Sequence, residues 1–114
     1  MARYVGMDDF VDRLEGIAAS GFDVNAVQSY LQETLIEPSA LERYMSYHSQ
    51  RYTRNLVHKT RAFEILVICW DVGQKAPVHG HEGELCWARV ELGKLRFENF
   101  RLVSESPLKL ELLG

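Results

Sequence analysis

Apolar residues recur at helical spacing in the first part of the chain and at strand spacing in the rest. Over residues 8–20, Phe10, Val11, Leu14, Ile17 and Ala18 fall on one side of a 3.6-residue repeat, which predicts an amphipathic helix. Asp8 or Asp9 can cap its start, and Gly21 follows its end. A second helix is expected over 25–35, with Val27, Tyr30, Leu31 and Leu35 on its apolar side and Asp23 or Asn25 as its cap. Pro38 and Ser39 open a short third helix, because an early proline gives up an N–H that has no partner in the first turn anyway. Leu41, Tyr44 and Met45 form its buried side.

The period then changes. Residues 52–58 read as a strand, and 62–72 are nearly continuous in apolar residues, as in a strand covered on both faces. Residues 73–77 are a connection. Residues 86–92 alternate, with Cys86, Ala88, Val90 and Leu92 on one face and Trp87, Arg89 and Glu91 on the other. Gly93 and Lys94 turn the chain, 95–102 form another strand, and 108–112 alternate around Lys109 and Glu111. Regularly spaced strands with short connections point to a sandwich or barrel. The expected fold is mainly β, a single domain over 1–114 with two or three helices in 1–48 and the first part of a barrel in 49–114. The strands end at the chain's end, so an incomplete barrel is expected, either as a monomer or as a homo-oligomer that covers the open sheet edges.

Charge narrows the partners. The net charge of −3 and the pI near 5.8 argue against nucleic acid, because phosphate binding needs clustered Lys and Arg. No basic amphipathic stretch points to a membrane surface. The longest apolar run, 65–70, is far too short to span a bilayer. The first ten residues carry Asp8 and Asp9 and no signal-peptide core, so a cytoplasmic protein is expected. Two cysteines make no disulfide framework, and Cys69, inside the apolar run, reads as a small buried hydrophobe.

The chemistry lies in two constellations. In His79-Gly80-His81, residues two apart on a strand face the same way, so two imidazoles can grip one metal ion. Alone the pair is a weak signal and reads more readily as two surface histidines near a turn. Its surroundings add Gly73 before it and Cys86 and Gly93 after it, with five, one, four and six residues in the successive gaps. That spacing resembles the first conserved motif of the cupin superfamily, with Cys86 where cupins usually have Glu, a replacement similar to that of the cysteine dioxygenases. The second constellation, Tyr52-Thr53-Arg54-Asn55-Leu56-Val57, resembles the Y-T-R-N-L-V signature of the same family.

The resemblance implies a cupin-like jelly-roll barrel and an Fe(II) thiol dioxygenase that oxidises L-cysteine with dioxygen to a sulfinic acid. His79 and His81 match two metal ligands. With no carboxylate ligand at Cys86, a third neutral His completes the family's set, and the metal keeps its double positive charge for an anionic thiolate. Arg54 matches the arginine that holds the substrate carboxylate through two parallel hydrogen bonds. Tyr52 matches a tyrosine that hydrogen-bonds at that end, and Ile68 matches an apolar residue of the pocket. Cys86 matches a cysteine that in animal-type members is crosslinked to a tyrosine; an inward-facing small core residue is the other reading. For Arg54 the other reading is a strand arginine paired with a surface carboxylate. Glu82 and Glu84 read as turn residues or substitute ligands, and His48 and His58 as surface or interface residues.

The family is longer than this chain. Its second motif, with the third His, would follow Gly114, so a shortened form with two of three ligands is expected. Two rivals stand beside cysteine oxidation. One is a 3-mercaptopropionate dioxygenase, in which Gln tends to replace Arg54; the other is a non-catalytic metal or small-molecule binding module.

Overall fold

A computed structural model describes residues 3–76, 85–98, 100–105 and 107–112. Its elements group into two compact units, Met1–Lys75 and Ala76–Gly114. The first contains β1 (Arg3–Val5), α1 (Met7–Ala19), α2 (Val24–Glu33), β2 (Thr34–Ile36), α3 (Pro38–Glu42), β3 (Thr53–Lys59) and β4 (Glu64–Cys69).

Helix α1 forms where the apolar repeat predicts it and buries Met7, Phe10, Leu14 and Ile17. Asp8 and Asp9 lie in its first turn, where negative charge suits the helix dipole. Gly6, in an extended conformation, is the residue that precedes the helix, so neither aspartate is its cap. The helix ends in two reverse hydrogen bonds, from the Phe22 N–H to the Ile17 carbonyl at 3.0 Å and from the Gly21 N–H to the Ala18 carbonyl at 3.2 Å. This turn puts Phe22 at a positive φ of 55°, where its ring meets Phe63 edge-on at 5.7 Å. Helix α2 starts at Asp23, whose side chain accepts from the Asn25 N–H at 2.9 Å.

The second helix stops earlier than its periodicity predicts. Thr34–Ile36 is extended and pairs in parallel with Arg3–Val5. The β-branched Thr34 and Ile36 suit a strand, and they are buried at 4% and 7% exposure. Parallel strands need a long crossover, which α1 and α2 provide. Proline opens α3, as expected.

Strands β3 and β4 form an antiparallel hairpin with an irregularity between Leu56 and His58. Thr60 closes its loop: its N–H donates to the Phe63 carbonyl at 2.8 Å, and its hydroxyl accepts from the N–H groups of Ala62 and Phe63. The core of this unit comprises Met7, Phe10, Leu14, Ile17, Val27, Ile36, Leu41 and Cys69.

The second unit contains β5 (Phe100–Glu105) and β6 (Leu108–Leu112), an antiparallel pair with an irregularity between Leu102 and Ser104. Residues 85–98, where alternation predicted one strand and the start of another, contain no strand. Alternation specifies which side chains share a face; a strand also needs a partner backbone, and none is paired with this stretch among the described residues. The architecture is therefore a small mixed α/β arrangement with three helices and three two-stranded sheets, and no closed barrel among the described residues.

Candidate functional site

The β3–β4 hairpin assembles three of the residues singled out in the sequence. Opposite residues in an antiparallel pair share a face. Arg54 lies opposite Ile68, and Leu56 opposite Leu66. One step beyond the paired segment, the rings of Tyr52 and Trp70 stack at 4.2 Å and 18°, which continues the register by one pair. Tyr52, Arg54 and Ile68 are thus brought to one face, together with Leu56, Leu66 and Trp70. Arg54 is exposed, and Ile68 and Leu56 are 43% and 53% exposed. No carboxylate pairs with Arg54 among the described residues. An accessible guanidinium and a phenol beside an apolar floor can hold a short ligand by its carboxylate, with its less polar part against the floor.

The opposite face of the hairpin carries a tightly bonded polar network beside Val67 and the buried Cys69. The Asn55 amide donates to Thr53 Oγ1 at 3.0 Å and to the Val67 carbonyl at 3.1 Å, with Cys69 Sγ at 3.8 Å. Its oxygen accepts from the Ser46 hydroxyl at 3.1 Å, and the Thr53 hydroxyl donates to the Ser46 carbonyl. Cys69 is buried at 4% exposure, as expected of a small hydrophobe.

Past β4 the chain turns at Asp71–Gln74. The Gln74 N–H donates to the Asp71 carbonyl at 3.1 Å, and Gly73 adopts a φ of 83°. A positive φ at that turn position is what glycine provides. The Gln74 side chain accepts from the Asp71 N–H and donates to the His48 carbonyl, so it ties this turn to the segment that leads to Tyr52. Gly93 of the second unit also has a positive φ, 76°. Both glycines of the sequence motif therefore occupy backbone positions that disfavour other residues.

His79 and His81 lie outside the described residues, as do Glu82 and Glu84. Cys86 belongs to the second unit and is exposed, so the reading of it as an inward core residue does not hold. Among the described residues, no group of three or more His, Cys, Asp or Glu side chains is set to hold a metal ion. His58 is engaged with Glu15 of α1 at 2.7 Å, and His48 Nδ1 accepts from the Gln50 N–H at 3.1 Å. No helix among the described residues is long and apolar enough to cross a membrane.

Two neighbours of the site were not singled out in the sequence, Trp70 and Asn55. Asn55 lies inside the second motif, and Trp70 ends the apolar run 65–70. Strand parity alone puts Trp70 on the face of Ile68 and Asn55 on the face away from Arg54.

The chain is similar to known proteins over most of its length. The cysteine dioxygenase type I family matches residues 7–111. Cysteine dioxygenase type 1 of Danio rerio is 26% identical over 92 residues, 79% of this chain and 46% of that protein. The Homo sapiens protein of the same name is 28% identical over 80 residues, 69% of this chain and 40% of that protein. That of Rattus norvegicus is 29% identical over 83 residues, covering 72% and 42%. The chain thus spans less than half the length of these relatives. No solved structure matches it.

Proposed function

The chain belongs to the cysteine dioxygenase type I family, and from that premise we propose that it carries the substrate-binding face and two metal ligands of a thiol dioxygenase site. The supporting observation is the shared face of Tyr52, Arg54 and Ile68 on one hairpin. Arg54 binds the carboxylate of a small thiol through two parallel hydrogen bonds, and the Tyr52 hydroxyl donates a further one at that end. Ile68 lines the apolar side. Cys86 matches the cysteine that animal-type members of the family crosslink to a tyrosine, and would supply that thiol. The hairpins are parts of a cupin-like jelly roll, in one domain over 1–114.

His79 and His81 would hold the metal. Imidazole nitrogens suit iron, and two of them supply part of a three-ligand facial set. Fe(II), when bound, supplies the dioxygen chemistry at the substrate sulfur; the residues of this chain bind and orient the thiol. Because the match to the family's ligands within the chain is two histidines, the reading best supported for this stretch by itself is a metal- and thiol-binding module. Oxidation of L-cysteine to a sulfinic acid belongs to a completed ligand set. Arg54 favours cysteine over 3-mercaptopropionate as the thiol. Such chemistry fits the cytoplasm, where thiols stay reduced.

The test is anaerobic loading with Fe(II), followed by iron content, thiol binding and oxygen uptake with L-cysteine and with 3-mercaptopropionate. Iron and cysteine binding without uptake supports the binding module; cysteine-dependent uptake supports the complete activity. Better use of 3-mercaptopropionate overturns the substrate assignment. His81→Ala is expected to abolish iron binding, and stoichiometric iron in that variant contradicts the ligand assignment.

A further inference from the structure

We propose that Asn55 is a positioning residue for Arg54 and Tyr52, acting from the far side of the hairpin. This rests on the reading of Arg54 and Tyr52 as carboxylate binders. The Asn55 amide donates to the carbonyl of Val67, its own register partner across the sheet, at 3.1 Å. That cross-strand bond belongs to the register that sets Arg54 opposite Ile68. A slip of one residue would turn every side chain of β3 to the other face and carry Arg54 off the apolar floor. The strand needs such a lock, because the pairing is irregular between Leu56 and His58, close beside it.

The same side chain reaches the segment that leads to Tyr52. Its oxygen accepts from the Ser46 hydroxyl at 3.1 Å, while Thr53, which receives its N–H at 3.0 Å, donates back to the Ser46 carbonyl. Both amide hydrogens and the amide oxygen are used, so the orientation of the group is fixed by three different parts of the chain. Asn55 touches no part of the proposed ligand face; its effect passes through the backbone it shares with Arg54 and through the segment that carries Tyr52.

The experiment measures anaerobic binding of two thiols to the Fe(II)-loaded full chain: L-cysteine, and cysteamine, which lacks the carboxylate. Asn55→Ala is expected to weaken cysteine binding about ten-fold and to leave cysteamine binding unchanged. A merely structural role would weaken both alike, and that result, or no change in either, overturns the inference. Ser46→Ala removes one tie from an exposed position and covers the case of a misfolded Asn55 variant; it is expected to shift cysteine alone by a smaller factor, and no shift there overturns the inference equally. Arg54→Ala is the reference. If it abolishes the preference for cysteine while the Asn55 and Ser46 variants keep it, only the positioning role fails. If it leaves the preference intact, or the unaltered chain has none, the carboxylate reading fails and the inference with it.

Discussion

The two units place regularly patterned apolar residues to opposite effect. In Met1–Lys75, helices and strands bury Phe10, Leu14, Val27 and Cys69 at 3–7% exposure. In Ala76–Gly114, none of the residues whose side chains are described is buried, and Leu85, Leu92 and Phe97 are exposed at 70%, 64% and 63%. The difference lies in the second layer. Helix α1 reaches β3 through Glu15 and His58, and the turn after α1 reaches the β3–β4 loop through Phe22 and Phe63. The β5–β6 pair is a two-stranded hairpin, an arrangement that is marginal in water without packing against something else. A binary pattern becomes a core only where another element lies against its apolar face.

The largest expected effect separates the units directly. Phe10→Ala removes a ring that is 5% exposed and stacked on Tyr30 at 5.6 Å, and should cost about 3–5 kcal/mol in urea unfolding. Phe97→Ala removes a ring that is already mostly in water and should change stability by less than about 0.5 kcal/mol. Comparable losses would mean that the exposed ring is packed in solution, and the contrast between the units would fall.

A smaller effect comes from the two motif glycines, one in each unit. Gly73→Ala must put a side chain at a φ of 83°, at a cost of about 1–2 kcal/mol, although the space around it is open. Gly93→Ala meets the same backbone penalty at 76°. The Gly73 variant should lower the main unfolding transition, whereas the Gly93 variant should leave that transition in place and change only local amide exchange after Leu92. Equal shifts of the main transition would show that the two units unfold together.

Legibility in the sequence followed the same divide. The periodicity of Phe10, Leu14 and Ile17 gave α1 to within a residue, because a one-sided helix needs only its own repeat and a core to face. The second helix was overextended because Leu35 continues its apolar side, while the partner that makes Thr34–Ile36 a strand is Arg3–Val5, too short to carry a period of its own. The alternation of 108–112 gave β6 at its observed bounds, but the strand expected over 86–92 and the start of the one over 95–102 were overread, because alternation carries no information about pairing. At the candidate site, the family resemblance singled out Tyr52, Arg54 and Ile68, and their shared face follows from register. The Asn55 network was not legible, since it depends on Ser46 approaching β3 from an irregular segment that no sequence pattern announces.

The smallest expected effect compares one polar side-chain pair from each unit. Glu15 and His58 join α1 to β3 at 2.7 Å, with side chains 45% and 29% exposed. Arg101 and Glu111 face each other across β5 and β6, with side chains 65% and 51% exposed. Exposed pairs are weakened by water and by the entropy of holding two long side chains, so a double-mutant cycle on either should give a coupling of about 0.2–1 kcal/mol. The difference lies in where the coupling is read. Glu15 and His58 tie a core helix to the strand of the candidate site, so Glu15→Gln should move the main unfolding transition slightly. Arg101→Ser should alter only the amide exchange of the β5–β6 hairpin. A shift of the main transition by Arg101→Ser, matching that of Glu15→Gln, would mean that this hairpin shares the cooperative core despite burying none of its described side chains.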